Sequence, residues 1–429
     1  MKSRFFQMDN SVATFITSEA GNTSASKIGS RSFWMAFCLT IPVVSKIILP
    51  SSFEKRLEFH FLDVPVFLPI LSLFIFLAAA KKNYKNKGLK LIFWSQFVFM
   101  FIGFVYNLNN YGNNPMAFLL AGNYYYYVLL LGLYCQLGAE ERYWVGKFYA
   151  ITLFILGFEV ILLGLGIVKG FGAVVVADEA QEFSDFFRVT TTAGASTGTA
   201  VHLYLLTVIC ILLSNSQKWR IVFFAFGVST TILTISRGGA AAFVLYFVMW
   251  LFYRVKERKK NRFKVIFGAV AAVALLYYVG VFNPLMERME IKTQDGTMME
   301  SREDRAEVAL QIYDINADSK LLGLGQASLY RSTEMQHMGV DNVVAPHNSY
   351  VQTLCEQGII GLTLMLLFWF TFICINRSNK AILISILPLL LVIWNTESVA
   401  ITLSDYLISL AILLMLALDK EKQYLLHTI

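Results

Sequence analysis

The strongest constraint on this chain is a succession of apolar segments, most of them separated by short loops, many of which carry basic residues. A helix needs roughly 20 mainly apolar residues to cross the hydrocarbon core of a bilayer. Within that core only helices and closed barrels satisfy their own backbone hydrogen bonds. Twelve candidate segments occur, near 33–50, 64–80, 88–105, 116–138, 146–168, 199–213, 220–235, 239–253, 263–282, 357–375, 381–394 and 399–418. Only 15% of the residues are charged, against about a quarter in soluble domains. The expected fold is therefore an all-α polytopic membrane protein of about 12 transmembrane helices.

Basic residues orient such a chain, because cytoplasmic loops retain Lys and Arg. With the N-terminus inside, 24 of the 36 Lys and Arg fall in the cytoplasmic segments, and the short outside loops are almost free of bases. The net charge of +7 is spread over these loops rather than gathered on one surface, which argues against nucleic-acid binding. The layout expected is a flexible cytoplasmic tail at 1–32, helices 1–9 over 33–282, one long extracytoplasmic loop at 283–356, helices 10–12 over 357–418, and a cytoplasmic tail at 419–429. The first segment is Ser/Thr-rich and lacks the short apolar core of a signal peptide. The five cysteines follow no metal or disulfide spacing. The absence of HExxH, Asp-rich triplets and Cys/His clusters argues against a metal.

Soluble chemistry then belongs to the long loop and the junctions beside it. Residues 301–313 (SREDRAEVALQIY) have helical spacing, with Ala306, Ala309, Leu310 and Tyr313 on one face and Ser301 able to cap the start. Arg302 and Arg305 lie one turn apart, placed either to share a ligand or to pair with Glu303 and Asp304. Leu322-Gly323-Leu324-Gly325 is a turn signal. It is not a phosphate loop, since no strand precedes it and a third glycine is missing. Ala345-Pro346-His347-Asn348-Ser349-Tyr350 opens a helix leading into the tenth span, so His347 stands at the membrane interface. An imidazole there can exchange a proton near neutral pH, or serve only in packing. Ser236-Arg237-Gly238-Gly239 joins two apolar runs at the outer face. An arginine at that depth needs a partner, either a ligand or lipid headgroups. Arg188, in Phe187-Arg188-Val189-Thr190, is a further outside base. A histidine and several arginines with glycine neighbours suit a lipid diphosphate, because the planar guanidinium binds phosphate oxygens through two hydrogen bonds at once.

Ser236-Arg237-Gly238, then Ser301-Arg302, then Leu322–Gly325, then Pro346-His347-Asn348-Ser349-Tyr350 with Leu354, Glu356, Gly358 and Gly361, in this order, resemble the O-antigen ligase/polymerase superfamily. The likeness covers about 188–418. It departs after Arg188, where Thr190–Thr197 replaces a Gly-x-Phe and Asn-Pro-Asn pattern, and after Arg302, where Arg305-Ala306 occupies the place of an aromatic residue. The resemblance implies a C-type glycosyltransferase fold and a metal-independent, inverting glycosyl transfer from an undecaprenyl-diphosphate-linked glycan, with no cofactor. Carried onto these residues, it implies that Arg237, Arg302, Arg188 and Arg305 hold the donor diphosphate and that His347 is the general base. Ser236, Gly238, Asn348, Tyr350 and Glu356 would support them.

The location implied is a bacterial inner membrane with a periplasmic active site, and a chain-length regulator and a flippase as partners. The expected activity is polymerisation of lipid-linked repeat units into O-antigen or a related surface polysaccharide. Ligation of the glycan to lipid A–core is the alternative. Transport of lipid-linked oligosaccharide fits less well, because the charges inside spans are few, Lys46 and Glu159 chief among them.

Overall fold

The computed structural model describes residues 28–48, 87–108, 129, 131–167, 191, 196–257, 302–326, 328–330, 346–396 and 406–418. The expected spans near 64–80 and 263–282, and the first part of that near 116–138, lie outside these residues. The main helices are α1 (Arg31–Ile48), α2 (Lys87–Tyr106), α3 (Ala139–Gly164), α4 (Ser196–Leu213), α5 (Gln217–Leu233), α6 (Arg237–Glu257), α7 (Arg302–Asn316), α8 (Ser349–Ile375), α9 (Lys380–Pro388) and α10 (Tyr406–Leu418). No strand occurs among the described residues. Among the described residues, three helices, α2, α3 and α8, are long and apolar enough to cross a membrane, and α1, α4, α6, α9 and α10 add shorter apolar stretches.

The successive helices α4, α5 and α6 alternate in direction as chains threaded through a bilayer do, whereas α1 and α3 lie side by side and parallel. The Ser30 and Ser32 hydroxyls donate to Glu140 and Glu141 at 2.8 and 2.7 Å, and the Phe33 ring meets Trp144 edge-on at 4.9 Å. The parallel helices α1 and α3 therefore start at one end of the bundle. α4 and α5 form a hairpin in which the buried Arg220 closes the turn, its Nε donating to the Ser214 carbonyl at 2.7 Å. α5 and α6 form a second hairpin, with Phe224 against Phe243, Tyr246 and Phe247. The two apolar runs flanking Ser236–Gly239 are thus separate helices. Polar side chains tie the bundle crosswise: Tyr149 shares a hydrogen bond with Ser409 of α10 at 3.0 Å, and the Tyr204 hydroxyl donates to the Ser385 carbonyl of α9 at 2.8 Å. Trp394, Tyr149, Tyr204, Phe223, Phe368 and Phe372 are fully buried in the common core. Leu91, Val98, Phe101, Ile102 and Val105 of α2 are exposed, the apolar outer face that lipid would cover.

The long helix α8 is broken. Gly358 has φ 67° and ψ −170°, a conformation open essentially to glycine alone. In a continuous helix the Ile359 and Ile360 amides would donate to the Cys355 and Glu356 carbonyls, four residues back. Those four groups instead pair with the loop 320–325. Leu324 N donates to Cys355 O at 2.8 Å and Gly325 N to Glu356 O at 3.0 Å, while Ile359 N donates to Lys320 O at 3.1 Å and Ile360 N to Leu321 O at 3.3 Å. Four bonds to the loop stand in for two intrahelical ones, so the break leaves none of these groups orphaned in an apolar setting. The expected start of the tenth span, residue 357, falls at this break.

The pairing demands close approach. A Cβ on Gly323, itself at φ 76°, would lie 2.5 Å from Gly358 N. One on Gly358 would overlap the Leu321 carbonyl. α2 backs the loop, with Asn107 Nδ2 donating to Gly323 O at 3.0 Å and to Gly103 O at 2.8 Å. Gly358→Ala should therefore cost about 1–3 kcal/mol from backbone strain alone. The expected outcome is a lowered midpoint in thermal unfolding of the detergent-solubilised protein, followed by tryptophan fluorescence. An unchanged midpoint would show that the break does not depend on this glycine.

Candidate functional site

The Ser236–Gly239 junction is a turn of three residues, Thr234 to Ser236, between α5 and α6. Ile235 turns the chain with φ 56°, a left-handed conformation that a β-branched side chain resists. Ser236 is buried, and its Oγ accepts from Gly239 N at 3.3 Å, capping the first turn of α6. Gly239 lets that turn press on its neighbours, since a Cβ there would lie 2.6 Å from Ala200 Cβ and 2.9 Å from Thr231 Cγ2. Gly238 is half-buried, whereas Arg237 is exposed. The first residue of α6 thus carries a free-reaching guanidinium beside the positive end of the helix dipole, a place suited to an anion.

His347 adopts φ 48° and is half-buried. Among the described residues, Ile235 and His347 are the two non-glycine positions in the left-handed region. Each adjoins or belongs to a motif singled out by the sequence, and such strain concentrates at functional sites. The reason for the turn at His347 is the cap that follows it. Asn348 is extended, and its Oδ1 accepts from Tyr350 N at 2.9 Å and Val351 N at 3.1 Å. The imidazole therefore stands just outside the first turn of α8, and Pro346 before it is buried.

Tyr350 anchors this first turn. After Pro388 the chain makes a π turn, Leu389–Ile393, where Trp394 N donates to Leu389 O, five residues back. The α-helical acceptor, Leu390 O, is bypassed and accepts from the Tyr350 hydroxyl at 2.7 Å. The Tyr350 and Trp394 rings meet at 5.8 Å. α6 packs against the same π turn. At the far end of this pair the Lys380 ammonium lies 5.1 Å from the centre of the Tyr253 ring. At about 1.5 Å of rise per residue, that pairing puts Ala240–Val244 level with Leu389–Ile393, with Arg237 about one turn beyond. Arg237 and His347 thus open their helices at one end of the bundle, on helices that both contact the π turn.

α7 joins them from the loop. Its buried face is Ala309, Ile312 and Tyr313, packed with Val351, Leu354 and Cys355 of α8, and the Cys355 thiol donates to Ala309 O at 3.4 Å. Ile312 completes the face expected from Ala306, Ala309, Leu310 and Tyr313. The Tyr313 hydroxyl donates to Lys320 O at 2.7 Å, tying the helix to the loop that follows. Burial, with smaller effects from Cys355 and Asp314, raises the Tyr313 pKa and keeps it a donor. Arg302 and Arg305 lie on the first turns of this docked helix; their side chains, Ser301 and Arg188 are outside the described residues. Thr191, three positions after Arg188, is buried and shares a 2.7 Å hydrogen bond with Thr199 at the head of α4. That is the head on which Gly239 rests.

Glu356 is buried on the same segment of α8, and its Oε1 accepts from Gln352 Nε2 at 3.2 Å. Among the described residues no three His, Cys, Asp or Glu side chains gather as a metal-ligand set. Three buried glutamines escaped the sequence reading: Gln96, Gln326 and Gln357, linked in a row. Gln96 carried a usable signal, a carboxamide in the middle of the apolar run of α2.

No curated protein matches the chain. Residues 221–366 match a family model described as O-antigen ligase, a span that takes in the Ser236–Gly239 turn, α7, the 320–325 loop and the His347 segment. That match supports the resemblance to the O-antigen ligase/polymerase superfamily.

Proposed function

We propose that this protein polymerises undecaprenyl-diphosphate-linked repeat units into a surface polysaccharide, with the site on the outer face of a bacterial inner membrane. The observation that carries this reading is that Arg237 and His347 start their helices at one end of the bundle, on helices that share the π turn Leu389–Ile393. Arg237, with Arg302 and in supporting places Arg305 and Arg188, would bind the donor diphosphate and stabilise the negative charge that grows as it departs. His347 would remove the proton from the acceptor sugar hydroxyl as that oxygen attacks the anomeric carbon, inverting it. The proposed layout is the one expected from the sequence: tails at 1–32 and 419–429 inside, and 283–356 as the outer catalytic loop. Sugar donation from a diphosphate needs no metal when guanidinium groups carry the charge.

The family description itself favours a second reading, ligation of the finished glycan to lipid A–core. The two share the donor site and differ in the acceptor. The surface glycan of a strain lacking the protein separates them. A core bearing one repeat unit marks a lost polymerase, whereas a bare core with lipid-linked polymer accumulating marks a lost ligase. Transport is disfavoured by the break in α8. Carriers use the freed ends of interrupted helices to hold substrate, and here the loop 320–325 occupies those four groups.

His347→Ala should lower chain extension by about 10²–10⁴-fold while the protein still accumulates in the membrane; normal polymer from this variant would refute the catalytic assignment. Arg237→Ala should lower kcat/KM for the donor by roughly ten- to a hundredfold, corresponding to about 1.5–3 kcal/mol for a charge-assisted contact. Arg237→Lys should restore little of it, because a single ammonium lacks the planar fork. Extension should continue in excess chelator, measured on isolated membranes supplied with lipid-linked donor.

A further inference from the structure

The histidine-bearing part of α8 does not inherit its position from the membrane-spanning part. Gly358 interrupts the helix between them, so the orientation of Ser349–Gln357 is set by sideways contacts. Backbone groups supply some of these, through the Tyr350 hydroxyl on Leu390 O and the loop amides on Cys355 O and Glu356 O. A row of side chains supplies more. Gln357 Nε2 donates to Gln326 Oε1 at 2.9 Å, and Gln357 Oε1 accepts from Gln96 Nε2 at 3.3 Å. Gln96 Nε2 also lies 3.5 Å from Gly361 O. All three glutamines are buried, at 0, 1 and 4% exposure for Gln96, Gln326 and Gln357. The row runs from α2, through the last residue before the break, to the loop that clamps the break. Gly361 makes room for it, since a Cβ there would overlap Gln357 Cβ.

Carboxamides buried in an apolar bundle are unfavourable unless they bond to one another, and leucines would fill the same space. What a carboxamide row adds is direction: it fixes both the height and the rotation of the segment ending in Gln357. Gln357 lies ten residues below His347, about 15 Å along a helix, so it reaches neither imidazole nor substrate. We propose that Gln357, with Gln96 and Gln326, is a positioning residue that holds the Ser349–Gln357 segment so that His347 meets the acceptor hydroxyl. This rests on the proposal that His347 is the general base.

The test compares Gln357→Leu, Gln326→Leu and His347→Ala in membranes, using lipid-linked glycan extracted from a strain lacking the protein as substrate. Gln357→Leu and Gln326→Leu should each lower kcat between about ten- and a hundredfold, the scale of a misplaced catalytic group, with KM for the donor within about twofold. The double variant should be no worse than either single one. Wild-type kcat in Gln357→Leu alongside an inactive His347→Ala overturns the positioning role alone; wild-type turnover in His347→Ala overturns the catalytic reading beneath it. Parallel losses of kcat, donor affinity and thermal stability would show a merely structural role. Should the leucine variants fail to accumulate, hydrogen exchange on the unaltered protein decides. Segments 320–326 and 355–361 should exchange as one unit, and a loop exchanging freely beside a protected α8 would refute the coupling.

Discussion

The structure depends on an exchange of backbone partners at Gly358. A helix interrupted inside an apolar bundle leaves two donors and two acceptors, each costing several kcal/mol if left unpaired in lipid. The loop 320–325 supplies two acceptors and two donors in matching order. Much of the site's frame follows from this pairing. The short upper segment of α8 is freed to point away from the spanning part. The loop is held against α2 by Asn107, and α7 is fastened to the loop by the Tyr313 hydroxyl. The helix bearing Arg302 and Arg305 and the segment bearing His347 are thus parts of one clamp.

The second anchor works by the same logic on a smaller scale. The π turn after Pro388 moves one amide off Leu390 O, and the Tyr350 hydroxyl takes the place. In both cases an irregularity in one helix becomes an attachment point for another. The positive φ values at Ile235 and His347 belong to this frame. Each is a local strain of about 1–3 kcal/mol, tolerated because capping by Ser236 and Asn348 and the packing behind them over-determine the turn.

Much of this was legible in residue order. The apolar runs marked α2, α3 and α8, and Ser236–Gly239 marked a junction between two helices rather than a kink in one. Pro346 ahead of His347 marked a helix start. The break was not legible. A glycine inside an apolar helical pattern usually signals only a small loss of helix propensity, and nothing local distinguishes Gly358, which breaks α8, from Gly361, which continues it. What separates them is the loop some 35 residues earlier, and Leu322–Gly325 read alone is any turn. The same limit hid Gln357: its partners lie on α2 and in the loop, so its meaning is a property of three distant segments. Tyr350 was seen as a motif member, but its attachment required knowing that Leu389–Ile393 would wind as a π turn.

The clamp at Gly358 also orders the making of the protein. α2 is synthesised first, the loop 320–325 follows, and the segment 355–361 emerges last. Until α8 arrives, the loop has Lys320 and Leu321 carbonyls and Leu324 and Gly325 amides without their final partners, so it must wait in water rather than in lipid. α8 cannot settle as two half-helices before the loop is there to meet it. Pairing at Gly358 therefore waits for residues 355–361, and the π turn that anchors Tyr350 is made later still.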